Sequence, residues 1–80
     1  MTSSYPFLCT MHVWQSEKTF TFFPTMIDFV GSSVYRQIGQ TSDSGEWICF
    51  EDLVSIQINP DYTGELKDLF NFEKIIKLES

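Results

Sequence analysis

Eight Phe, two Trp and three Tyr crowd an eighty-residue chain that carries eleven acidic side chains against five basic ones. Each half of that pairing excludes a class. An acidic, solvated, disordered segment lacks aromatics. A nucleic-acid binder carries the opposite charge. The combination predicts a compact acidic domain that works by contact with another protein. No motif identifies a reaction, so the expectation is a binder and not an enzyme.

Eighty residues hold one hydrophobic core. Residues 1–6 read as a flexible lead-in and 7–80 as a single compact domain. A chain this short buries only about 60% of the surface it exposes when unfolded. Its stability is expected to be near 5 kcal/mol. A partner or a second copy would add to it. The net charge of −6 disfavours DNA, RNA and anionic lipid and favours a basic partner surface. The same charge also simply keeps a small protein in solution.

Cys9 and Cys49 are too few for a disulfide scaffold. Both sit in apolar runs, which reads as buried free thiols; one bridge between strands is the alternative. The first residues carry no positive charge and only a short apolar stretch, unlike a signal peptide. No run of 18 apolar residues occurs, so no membrane span is expected. These readings predict a cytoplasmic protein.

Phe7 to Trp14 alternates as a strand, with Phe7, Cys9, Met11 and Val13 on one face. Gln15 to Lys18 is a polar turn. Thr19 to Phe23 follows as a second strand, with Phe20 and Phe22 together, completing a hairpin. Thr25 then resembles a helix cap with Asp28 at the third position. Ile27, Val30, Val34 and Ile38 recur at spacings of three and four, which suits a helix ending at Gly39. Gly31, two serines and β-branched residues oppose it. The rival is a helical turn over 25–31 and a strand over 33–40.

Thr41 to Gly45 is a loop, and Trp47 to Phe50 a short strand broken by Glu51 and Asp52. Leu53 to Asn59 is the cleanest strand, with Val54, Ile56 and Ile58 expected to face inward. Asn59-Pro60-Asp61 ends it. Thr63 is a cap candidate for a helix through Leu66, Leu69, Phe70 and Glu73. The stretch from Phe72 to Leu78 could instead form a last edge strand. The expected class is α+β: a small antiparallel sheet of four or five strands with one or two helices packed on one face. A small bent β-barrel is the alternative.

Catalytic and metal chemistry find little support. His12 is the only histidine, and a zinc site would need carboxylates to complete it. Adjacent Glu51 and Asp52 point apart in an extended segment, where general acid–base pairs draw carboxylates from different elements. Arg36, Lys18, Lys67, Lys74 and Lys77 form no stripe, which makes direct nucleic-acid binding unfavourable. No cofactor is expected.

The aromatics carry more. Phe7, Phe20, Phe22, Phe29, Phe50 and Phe70 suffice for a small core. Trp14, Phe23, Tyr35, Trp47, Tyr62 and Phe72 are then surplus, and exposed aromatics mark interfaces; the two Trp and two Tyr of this set are favoured over the phenylalanines. With Glu46, Glu51, Asp52, Glu65 and Asp68 they form the candidate partner-binding set. The expected function is a small acidic protein–protein interaction domain. Its sharpest form is an inhibitor that occludes a basic, nucleic-acid-binding surface of its target, the general character of small phage proteins that block host enzymes. A self-associating accessory subunit or homodimer is the second reading. A small nucleic-acid-associated β-barrel is the third.

Overall fold

The computed structural model describes residues 5–41, 43–65 and 75–78. Asp68 lies outside them, as does the body of the helix expected after Thr63. Seven strands run through the described residues: β1 (Phe7–His12), β2 (Thr19–Phe22), β3 (Met26–Asp28), β4 (Ser33–Gln37), β5 (Gly45–Cys49), β6 (Leu53–Ile58) and β7 (Ile76–Lys77). A single 3-10 turn, Phe50–Asp52, joins β5 to β6. The strands form two antiparallel sheets, ordered β2-β1-β6 and β5-β4-β3-β7.

This overturns the α+β expectation. No helix layer covers a sheet among the described residues; the sheets bury each other's apolar faces instead. The architecture lies closer to the small all-strand alternative. No described helix is long and apolar enough to cross a membrane.

The helix expected over 25–39 is a β-hairpin. Ile27 pairs directly across the ladder with Val34, and both are fully buried. Their spacing of seven, which suggested two turns of helix, is a cross-strand register. Val30 and Ile38, the other members of that stripe, are exposed. Asp28 does not cap a helix: its carboxylate accepts the Gly31 N–H at 2.9 Å and closes the turn. Ser32 completes the turn at φ 54°, in the left-handed region. Of the rival, the strand over 33–40 is adopted, trimmed to Ser33–Gln37, but its helical turn over 25–31 is not, because Met26–Asp28 is a strand paired with β4. The edge strand that Phe72 to Leu78 offered as the alternative to a helix appears, within the described residues, only at Ile76–Lys77, paired with β3.

In the first sheet the period-two pattern sorts side chains cleanly. Cys9 lies opposite Phe22 and Ile56, Phe7 opposite Ile58, and Met11 opposite Phe20 and Leu53. Opposite residues share a face, so one face is wholly apolar. Leu8 opposite Gln57 and Thr10 opposite Thr21 and Ser55 make the other. Between Thr10 and Met11 the register shifts by one residue on β6. This bulge places Leu53, not Val54, on the inward face. The inward assignment of Val54 is thereby corrected: it is 52% exposed.

The core joins Phe7 and Cys9 to Ile27, Val34, Ile48 and Leu78, with Met11, Phe22, Phe29, Phe50, Leu53 and Ile76 packed around them. At its lower end Pro6 is fully buried. Asn59 holds this end together: its side-chain Nδ2 donates to the Tyr5 carbonyl at 2.9 Å, and its side-chain Oδ1 accepts the Asp61 N–H at 3.1 Å. Both cysteines are free; Cys9 is buried but Cys49 is exposed, against the expectation for the latter. The Thr25 hydroxyl is buried with no hydrogen-bond partner among the described residues. An orphaned buried hydroxyl costs about 1–3 kcal/mol. Thr25→Val, which keeps the shape, is therefore expected to raise stability by about 1 kcal/mol in urea unfolding. A loss instead would mean that the hydroxyl is satisfied in solution.

Candidate interaction cleft

The two sheets diverge where the β1–β2 hairpin faces β4 and β5. There a cleft of about 560 Å³ opens. Met11 and Phe20 form its floor on one sheet and Ile48 on the other. His12 and Trp14 come from the hairpin, Glu46 and Trp47 from β5, and Asp52 from the 3-10 turn.

Arg36 sits at the centre. Its partner across the ladder is Glu46, on the same inward face as the Val34–Ile48 pair. A charged side chain at an inward position must find compensation. Arg36 reaches across to the facing sheet and places its guanidinium over the Phe20 ring, 4.7 Å from the centroid, with Phe22 at 5.9 Å. Its Nη1 lies 3.6 Å from Glu46 Oε1. The cation thus fills the gap between sheets that an aliphatic side chain would fill deeper in the core. Arg36 is half-buried but Glu46 is exposed, so the pair orients more than it stabilises.

The tryptophans occupy different settings. Trp14 stands in the hairpin turn and is 84% exposed. The turn is held by a Val13 N–H donated to the Lys18 carbonyl at 2.8 Å, with Gln15 at φ 55°. Trp47 packs edge-on against Tyr35, its cross-strand partner, at 5.2 Å between centroids. Tyr35 is itself only 6% exposed. It is a support beneath Trp47 and not a contact surface.

Of the nine candidates, Trp14, Glu46, Trp47 and Asp52 therefore meet around one cleft. Glu51 is exposed beside Asp52 without lining it. Tyr62 and Glu65 lie beyond the turn that follows β6, outside the cleft. Sequence reasoning missed Arg36, Phe20 and His12 as members of this site. One signal was present for Arg36: it shares strand parity with Val34, which marks a charge facing inward.

Family models, curated proteins and solved structures offer no match to this chain. The cleft must be read from its own chemistry. Among the described residues no group of three His, Cys, Asp or Glu side chains could hold a metal ion. What the cleft presents is an exposed indole, two carboxylates and an apolar floor; Trp47 borders it, with its indole on the Tyr35 face of the sheet, opposite to Glu46.

Proposed function

We propose that this chain is a small acidic protein–protein interaction domain that docks a basic segment of another protein at the inter-sheet cleft. Its mode of action is occlusion of that partner surface, as an inhibitor acts. The observation that carries the reading is Trp14, a large apolar side chain held out in solvent beside Trp47, Glu46 and Asp52. Indoles supply contact area at small entropic cost and dominate interface energetics. Carboxylates at the rim speed encounter with a basic partner and set orientation. The chain's net charge of −6 adds long-range attraction. A cytoplasmic setting goes with this reading, since free thiols persist in reducing compartments.

The test is titration of a captured, purified partner into the native chain and its variants. Trp14→Ala is expected to weaken binding at least about tenfold, or ~1.4 kcal/mol, without lowering the melting temperature. Trp47→Ala is expected to weaken binding and stability together, because Tyr35 loses its packing partner. Glu46→Gln with Asp52→Asn should flatten the salt dependence of the association rate. Unchanged affinity of Trp14→Ala would remove the cleft from the interface. Capture of nucleic acid in place of protein would favour the third reading from the sequence.

A further inference from the structure

We propose that a recess between the Tyr5–Phe23 stack and Arg36 binds a small monocarboxylate with an aromatic body, held by Arg36 and Thr25. This site goes beyond the docking function proposed above and shares with it only the Arg36 side chain.

The recess measures about 260 Å³ and lies where the end of β2 approaches the end of β4. Tyr5, Phe22 and Phe23 bring aromatic rings to it; Thr25, Arg36 and Gln37 bring polar groups. Tyr5 and Phe23 stack, with 5.2 Å between centroids and 18° between planes. Phe23 stays 42% exposed, so the stack offers ring surface to a ligand. Among the described residues no carboxylate lines the recess, and Arg36 is its one charged side chain. In a chain of net charge −6, a cavity that presents a lone cation among rings selects against the basic groups that the rest of the surface attracts.

Two donors at the recess lack an acceptor. A guanidinium offers a fork of N–H groups and accepts nothing. Arg36 gives none of them in a hydrogen bond among the described residues. Its contact with Glu46 is a single approach of 3.6 Å. The guanidinium stands over Phe20, which lines the cleft, with Phe22, which lines the recess, at 5.9 Å. It therefore forms part of the wall between the two cavities. Glu46 lines the cleft and not the recess, so the recess side of the cation has no anion. Thr25 is the second donor. Its N–H donates to the Tyr35 carbonyl at 3.0 Å, which holds it next to Arg36, and its hydroxyl is buried without a described partner. The Gln37 amide is already engaged by the Gly39 carbonyl at 3.1 Å. A planar carboxylate matches the guanidinium fork, and its second oxygen gives the Thr25 hydroxyl the acceptor it lacks. A phosphate dianion fits less well, because a single cation faces it in an acidic chain. An aromatic body on the carboxylate packs against the exposed Phe23 ring.

The probe is N-acetylphenylalanine, titrated into the full chain at neutral pH and followed by NMR shifts of backbone amides and of the Arg36 side chain. Saturable shifts are expected at Phe23, Thr25 and Arg36, half complete near about 1 mM. The uncharged N-acetylphenylalaninamide should bind at least about tenfold more weakly. Arg36→Lys keeps the charge but not the fork, and should weaken the acid about fivefold. Thr25→Val should weaken it about threefold while the melting temperature holds or rises; a lost contact in a merely structural role would not separate the two readouts. Absence of saturable shifts overturns the proposal. So does equal binding of acid and amide, or native affinity in both variants. Inorganic phosphate that binds the same residues more tightly than the acid overturns the carboxylate assignment. Shifts confined to Trp14 and Asp52 overturn the recess as the site, because they put the acid in the cleft.

Discussion

Ile27→Ala is expected to remove about 3 kcal/mol of stability, more than half of what a chain of this size holds. Ile27 is fully buried at the centre of the second sheet, with Val34 on one side and Ile76 on the other. Truncation removes the transfer energy of three carbons and leaves a cavity that the flanking strands cannot close. The measurement is the urea midpoint at unchanged slope. The companion variant gives the result its force. Val30 lies three residues on, in the turn, and is exposed. Val30→Ala is expected to cost no more than about 0.5 kcal/mol. On a helix both would belong to one buried stripe and cost similar amounts. Comparable losses would therefore overturn the hairpin between β3 and β4.

The second large effect is alkaline. Burial among apolar side chains pushes the Cys9 thiol from 9.0 up to about 12. The unfolded chain releases this proton near pH 9, while the folded chain retains it to about pH 12. In that window the unfolded state binds fewer protons, so stability falls as pH rises. The loss across that window is on the order of 2 kcal/mol. Cys9→Ala should cost about 1 kcal/mol at pH 8 and then lose less stability than the native chain between pH 9 and 12. Parallel pH slopes for the two proteins would show that the thiol ionises without unfolding. A thiol reagent at pH 8 should accordingly modify the exposed Cys49 and spare Cys9 until the chain unfolds.

The period-two pattern was legible wherever one face was apolar and the other polar. Phe7, Cys9 and Met11 share a face as their alternation says, and so do Phe20 and Phe22. The strand at Leu53 was found but misphased at its start, because a bulge carries no mark in the residues of its own strand. It is decided by the partner, Met11. Ile27 and Val34 misled for a different reason. Seven residues separate both two turns of a helix and two positions facing each other across a short hairpin. Only the exposure of Val30 and Ile38 distinguishes the cases. For the site, Trp14 and Trp47 were visible as aromatics surplus to the core. Their convergence with Asp52 was not, since it depends on how far the sheets diverge. Arg36 was counted as one of five scattered cations when its parity with Val34 already placed it between the sheets.

Strand β1 is central to its sheet, and its second neighbour, β6, pairs Phe7 with Ile58. Fifty residues of chain must be searched before that contact forms. The hairpin with β2 is local and closes early; the other edge of β1 waits. Pairings of such sequence separation are slow, in the range of milliseconds to seconds for small all-strand domains. During synthesis the wait is longer, because β1 emerges with its apolar face complete while β6 is still untranslated. The nascent chain therefore spends seconds with Phe7, Cys9 and Met11 uncovered on one side.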